Sequence, residues 1–459
     1  LLLLFLCVGA RGQQLFIEKS DASPAMIDAM YVKGLQYLVK SQSAEGAWAD
    51  VYGRQPGVIG LAVVAMLAHG DDPNAGPYSA AIKRGLNALL AQQPADAQAL
   101  ELLAVVELGR GNNEAAHKAL AWAHARGQLN DLRFARDALI DPERARTEGV
   151  YVATLDDVQI ETADWAILDG DKVYNTEAHN RALRKGPHVQ GRASPNNDAY
   201  IFRLPPVTQT IDVPCAHLGG DHNYCHWITR NMVKLGVLEG TPYESLPLLV
   251  NADLRRHQKE FLELLAIPEE RLIRLERPAL AHIRRLVVPT NVTNHAKMGI
   301  GTQWLRRHLA HCMDDAPAGD LLFVSRDDAQ VRRLLNEDEL FATLKPLGFE
   351  SILPGAMPVR EQIRRFSRAK VIIGAHGAAL GNMVFAQPGI RLIELTTTFK
   401  AHIPDFHVLA RICNLQFSSI VSDDYDFTRP EPYQADIDFR VDVAEVLAEL
   451  RRCVPALFE

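Results

Sequence analysis

Only six cysteines occur in 459 residues, at positions 7, 215, 225, 312, 413 and 453, and no two form a Cys-x-x-Cys pair. Cys7 belongs to a leader-like opening, so an odd five remain. That excludes a disulfide framework and the usual zinc spacings, and predicts buried free thiols. An excess of positive charge is also missing: 49 Lys and Arg against 56 Asp and Glu leave a net charge of -7. No general basic field is available for nucleic acid. The pairs Arg284-Arg285 and Arg306-Arg307 are local patches able to hold an anion, or else solvated surface. Nor is there an apolar run long enough to span a bilayer. The opening Leu1 to Ala10 is too short; it reads as the tail of a signal peptide with Val8-Gly9-Ala10 as cleavage site, or as a buried strand or helix end.

What is present is a globular composition, 47% hydrophobic and 23% charged, over a length that predicts two or three domains. Residues 24–148 read as all-helical. Ile27, Met30, Tyr31, Leu35 and Leu38 recur at helical spacing, Val58 to His69 is an apolar helix, and Ser79 to Gln92 is another. Turns fall at Ser41 to Trp48 and Asp71 to Pro77. Ala97 to Ala119 predicts two further helices around Gly109-Arg110-Gly111-Asn112. The Gln42…Gly46…Trp48 pattern resembles the α/α-toroid repeats of terpene cyclases and prenyltransferases, without their Asp-rich catalytic motif. Residues 94–128 resemble one tetratricopeptide unit. Both resemblances imply helical-repeat structure and no chemistry.

From Gly149 the pattern becomes α/β. Strands are predicted at Val150 to Leu155, within Asp164 to Tyr174, and at Ala199 to Leu204, Leu246 to Val250 and Arg284 to Pro289. Helices are predicted at His226 to Leu238 and Asp253 to Leu265, and a loop over Arg184 to Asn197. From Leu321 strands and helices alternate: strands Leu321 to Ser325, Glu350 to Leu353, Val371 to Gly374, Arg391 to Leu395 and Ser418 to Val421. Between them lie helices Ala329 to Leu344, Val359 to Ser367 and Ala378 to Phe385, and Val441 to Cys453 closes the chain. This alternation predicts a parallel sheet covered on both faces.

Ligands of open parallel sheets bind beyond the carboxyl ends of the strands. There the sequence places Arg326, His376-Gly377-Ala378-Ala379 and Glu394. Small residues opening a helix let a diphosphate approach free backbone N–H groups, and Arg326 can add a charge-assisted contact. Glu394 stands where an acid can accept from two ribose hydroxyls. Equally, Gly377 would permit close helix–strand packing and Glu394 would be a solvated strand end.

The order and spacing of Phe323-Val324-Ser325-Arg326, Glu361-Gln362-Ile363, Ile372-Ile373-Gly374-Ala375-His376-Gly377-Ala378, Asn382, Pro388-Gly389 and Ile393-Glu394-Leu395 resemble glycosyltransferase family 61. Asn223-Tyr224-Cys225-His226-Trp227 is similar to that family's Asn-x-x-His-Trp segment. The resemblance covers residues 150–455 and implies inverting sugar transfer from a UDP-sugar to a glycan or protein hydroxyl. It also implies a GT-B-like pair of Rossmann-type domains, here at 149–284 and 285–459, following a leader at 1–23 and the helical segment at 24–148. Arg326, His376, Gly377, Ala378, Asn382 and Glu394 would hold the donor. No other cofactor and no metal are expected. The pairs Asp314-Asp315, Asp327-Asp328 and Asp423-Asp424 do not follow an apolar strand as a metal-binding DxD does, and read as solvated faces.

Two departures bear on the catalytic base: Arg230 stands where the family commonly has Asp, and Val233-Lys234-Leu235 replaces Pro-Arg-Leu. His226, at a helix start, is the first candidate for the base, or else a satisfied core histidine beside Trp227. Asp221 and His222 on the same loop are alternates. A non-catalytic scaffold, with helical repeats binding a protein partner, is the competing expectation. Asn291-Val292-Thr293 is a glycosylation sequon. The composition points to the cytoplasm, the leader to export.

Overall fold

The computed structural model describes residues 24–48, 56–68, 76–92, 97–147, 150–163, 165–174, 195–196, 198–277, 279–289, 298–401, 405–427 and 436–459. The leader-like stretch, most of the 184–197 loop and the sequon lie outside these residues. The chain forms two compact units, one of residues 1–134 with 191–202, the other of residues 135–190 with 203–459.

In the first unit the helices Pro24–Ser41, Pro56–Ala68, Ser79–Gln92, Ala97–Gly109 and Asn113–His124 follow the apolar spacing of the sequence. The Gln42…Gly46…Trp48 pattern proves structural. Gln42 Nε2 donates to Gly46 O at 3.1 Å and Ala81 O at 2.8 Å, and the buried Trp48 donates to Leu38 O at 2.7 Å. Asn112 caps the fifth helix by accepting from Ala115 N–H at 3.3 Å. The expectation of helix throughout 24–148 fails at Leu132–Asp137, which is a strand. Its Arg136 and Asp137 pair in parallel with Lys172 and Val173.

The second unit holds two large sheets and the two-stranded pair Asp424–Asp426 with Asp438–Arg440. In the first, Lys172–Tyr174, Ala166–Asp169, Val152–Glu161 and Leu280–Pro289 lie side by side and antiparallel. From Leu280–Pro289 onward the order continues in parallel through Cys215–Gly219, Leu248–Asn251 and Leu272–Leu275. The expected division between residues 284 and 285 therefore falls inside the ten-residue strand Leu280–Pro289, whose Ala281, Ile283, Leu286 and Val288 are buried in one core of this first sheet. The second sheet is wholly parallel, in the order Phe349–Ile352, Asp320–Val324, Ala369–Ala375, Arg391–Thr397, Gln416–Ser422. Its three inner strands are near-continuously apolar, which reflects burial on both faces.

One core runs between the sheets and takes in Trp227, Phe261, Val287, Leu322, Phe366 and Phe385. Each such side chain, fully removed from water, contributes about 1.5–3 kcal/mol. Helix Met298–His308 packs on Val233–Leu238 through glycines: a Cβ on Gly301 would stand 2.1 Å from Val233 Cβ, and one on Gly236 2.6 Å from Trp304 Cβ. The predicted helix 329–344 shortens to Glu337–Leu344, because the carbonyls of Val331 and Arg332 accept from the Arg326 side chain.

Candidate active site

Arg326 follows the strand Asp320–Val324, and Gly377 follows its parallel neighbour Ala369–Ala375, the central strand of the sheet. The guanidinium crosses directly over the glycine, so a Cβ at 377 would lie 1.6 Å from Arg326 Nη1. Gly377 has extended backbone, φ -176°, so what the position requires is space. Arg326 Nη2 donates to Val331 O at 2.9 Å, and Arg326 N–H donates to Glu337 Oε2 at 3.1 Å. Burial, and then the charge of Arg332, pull the guanidinium down to about 10, which leaves it cationic at neutral pH. The helix opened by Gly377 over Ala378–Phe385 is 3₁₀.

His376 Nδ1 lies 2.6 Å from Glu394 Oε1, and the two side chains are 12% and 8% exposed. Glu394 Oε2 accepts from Ser419 Oγ at 3.1 Å. His376 N–H donates to Leu395 O at 2.8 Å, and its ring leans on Phe406 with centroids 4.8 Å apart. Both Glu394 oxygens thus serve the protein. The alternative of a solvated strand end gives way to a buried carboxylate, inside strand Arg391–Thr397, that orients His376.

On the first sheet, residues 220–223 form the loop beyond strand Cys215–Gly219. Asn223 caps the following helix, Oδ1 accepting from His226 N–H at 3.1 Å. That brings His226 Nδ1 to 2.7 Å from Asp221 Oδ2, with the imidazole 36% exposed, so His226 is not the buried core histidine of the competing expectation. Burial pushes the Asp221 carboxyl up, but the His226 contact, Asn223 N–H and Arg230 outweigh it and hold it below the usual range. Arg230, in place of an acid, lies in a π-helical stretch, Trp227–Met232, that interrupts the helix. His222 turns elsewhere, with its ring nitrogens near Asn251 Nδ2 at 3.2 Å, Asp253 Oδ1 at 3.3 Å and Arg277 Nη1 at 3.3 Å. Burial, then Arg277, lower its pKa. Lys234, where the family pattern has Arg, is fully buried and donates to Leu218 O at 2.9 Å.

Asn382, expected at the donor, lies at the seam between the two sheets. It is fully buried, accepts from Tyr224 Oη at 2.7 Å, and donates to Gln362 Oε1 at 2.9 Å and Ala379 O at 3.1 Å. These bonds make it a tie between the two sheets' elements. Beside it, a Cβ on Gly381 would stand 3.0 Å from Cys225 Sγ. Across the same seam Arg256 donates to Met357 O at 2.7 Å.

Ser419, Phe406, Glu337 and Tyr224 were not legible as site residues. Ser419 pairs with Glu394 only through the register of neighbouring strands, which a single sequence does not reveal. Cys215, Cys225, Cys312, Cys413 and Cys453 are free thiols, and burial pushes Cys215, Cys225 and Cys413 up to about 12. Among the described residues no helix is long and apolar enough to cross a membrane, and no cluster of His, Cys, Asp or Glu could hold a metal ion.

The Glycosyltransferase 61 family model matches residues 224–393, a span that contains His226, Arg326, His376 and most of the second sheet. The chain is also similar to the beta-1,2-xylosyltransferase of Arabidopsis thaliana, 28% identical over 138 residues, which is 25% of this chain and 26% of that protein. It is similar too to the beta-1,2-xylosyltransferase RCN11 of Oryza sativa subsp. japonica, 29% identical over 118 residues, 22% of either chain. Each match thus spans about a quarter of the relative's length. Residues 224–393 are a glycosyltransferase family 61 domain.

Proposed function

We propose that the chain transfers a sugar from a UDP-sugar to a hydroxyl of a glycan or protein, with inversion at the anomeric carbon. The observation that carries this is the pairing of His226 with Asp221 at 2.7 Å on a partly open loop. A carboxylate on Nδ1 fixes the tautomer in which Nδ1–H donates to Asp221 and Nε2 keeps its lone pair. Nε2 then takes the proton of the acceptor hydroxyl as its oxygen bonds to C1. The C1–O bond to the diphosphate breaks, and its electron pair leaves with UDP. Arg326, His376 oriented by Glu394, and the backbone at Gly377 and Ala378 meet the diphosphate charge, a role a divalent metal fills elsewhere.

Arg230 is what favours the competing reading of an inactive domain. Against it, the carboxylate that position 230 lacks reaches His226 from Asp221, and the charge of Arg230 helps keep that carboxylate ionised. UDP release should be measured first with UDP-xylose, because the relatives are xylosyltransferases, then with UDP-linked N-acetylglucosamine and arabinose. Turnover with one of these, undiminished by EDTA, is expected. No release from any would establish the scaffold reading, and loss with EDTA restored by manganese would reinstate a metal.

A further inference from the structure

Two arginines lie close together beyond the carboxyl end of strand Asp320–Val324, with few carboxylates in contact with them. The guanidinium of Arg326 donates to the carbonyls of Val331 and Arg332, at 2.9 and 3.4 Å, and no carboxylate accepts from it among the described residues. The Glu337 carboxylate instead accepts from the Ser325 hydroxyl and the Arg326 backbone N–H. Arg332 meets one carboxylate, that of Asp436, through Nη1. Its Nε is buried and has no hydrogen-bond partner among the described residues. After burial, the charge of Arg332 does most to pull Arg326 down; Asp328, Glu337 and Asp438 each act the other way, less strongly. The two guanidiniums therefore repel each other and share a single ion-paired carboxylate.

The backbone at Arg332 is strained as well. Its φ of 54° lies in the left-handed region, which a long side chain rarely adopts. In that conformation its N–H donates to Asp436 O at 3.0 Å while its carbonyl accepts from Arg326 Nε. Phe439 N–H donates to Arg333 O at 3.0 Å and Leu335 N–H to Phe439 O at 2.8 Å, so the segment is pinned on both sides of the strained residue. Left-handed backbone, a buried donor without an acceptor and repulsion between like charges all oppose folding at one position. Such costs concentrate at ligand clamps, where the ligand offsets them. A structural ion pair with Asp436 requires none of the three. The Arg332 side chain is 19% exposed, so a ligand can reach it. The ligand that complements two neighbouring guanidiniums is a multiply charged anion, and a diphosphate supplies charge-assisted acceptors for both.

We infer that Arg332 is a second cationic contact for the diphosphate of the donor, beside Arg326, held in place by Asp436 and its left-handed backbone. This rests on the transferase reading above. The test is isothermal titration of UDP, inorganic pyrophosphate and uridine into the full chain. Arg332→Met keeps the length of the side chain and the carbonyl that Arg326 uses, and removes the charge. UDP and pyrophosphate should then bind about ten- to a hundredfold more weakly, as loss of a charged hydrogen bond implies, while uridine binds as before. Arg332→Lys should recover part of the loss, since it restores the charge without the fork. The weakening should persist in an Arg326→Ala background, where a role exercised only through Arg326 would vanish. Unchanged UDP affinity in Arg332→Met, or an equal loss for UDP and uridine, would overturn the contact and leave the transferase reading standing. Arg332-dependent pyrophosphate binding in a chain that turns over no UDP-sugar would sink the transferase reading and leave the anion clamp. Binding of neither UDP nor pyrophosphate by the unaltered chain would sink both.

Discussion

Gly377 lies beneath the guanidinium of Arg326, and a Cβ at that position would come within 1.6 Å of Nη1. Two strands thus deliver one cationic surface, the arginine from one strand end and the room for it from the next. Gly377→Ala should displace Arg326 without straining the backbone. Donor KM should rise by about the same factor in Gly377→Ala, Arg326→Ala and the double variant, because both changes remove one contact. Additive losses in the double variant would show that the glycine acts independently, for instance by opening backbone N–H groups.

Glu394 holds His376 while Ser419 holds Glu394. Glu394→Gln keeps the shape but can no longer fix the imidazole as an anion does. Donor KM is expected to rise roughly tenfold, about 1.4 kcal/mol, with acceptor KM unchanged. A larger effect on acceptor than on donor kinetics would remove His376 from the donor side.

His226→Ala should lower kcat by about 10²–10⁴-fold, the usual range for loss of a general base, with donor affinity nearly constant. Asp221→Asn should reduce kcat less and shift the acid limb of its pH profile. If His226→Ala lowers thermal stability and leaves turnover within a few-fold, the histidine is a packing residue.

Asn382→Ala should be a stability variant. It strands the Tyr224 hydroxyl and Gln362 in a buried seam, costing about 2–3 kcal/mol, and should lower the urea midpoint while donor KM stays put. A change in donor KM at unaltered stability would return Asn382 to the ligand.

His257 supplies a pH test. Burial first, then the charges of His222, Arg255 and Arg256, lower its pKa from the usual 6.5 to about 4. Above pH 6.5 it is neutral in folded and unfolded chains alike. As pH falls from 6.5 toward 4 the unfolded chain takes the proton first, so stability drops across that window. Allowing for its partial exposure, the loss is about 1–2 kcal/mol. His257→Gln should therefore show a smaller fall in urea midpoint between pH 7.5 and 4.5 than the unaltered chain. An equal fall would assign the acid sensitivity to other groups.

The parallel alternation after Leu321, the helices of the first unit and the placement of Arg326 and His376 beyond strand ends were legible from the sequence alone, whereas Glu394, expected at a strand end, lies inside Arg391–Thr397. Local periodicity and the apolar runs of doubly covered strands dictate them, because burial of a strand or helix face is written in its own residues. What tertiary structure decided was every relation between distant segments. That Glu394 answers His376, that Asp221 answers His226 from five residues upstream, and that Asn382 is spent on Tyr224 depend on register and side-chain direction. The 329–336 loop is non-helical because Arg326 takes its carbonyls, and Leu280–Pro289 belongs to the first sheet because Val152–Glu161 pairs along its whole length. Hydrogen bonds between segments far apart in sequence leave no mark on the pattern of either segment, so packing alone selects them.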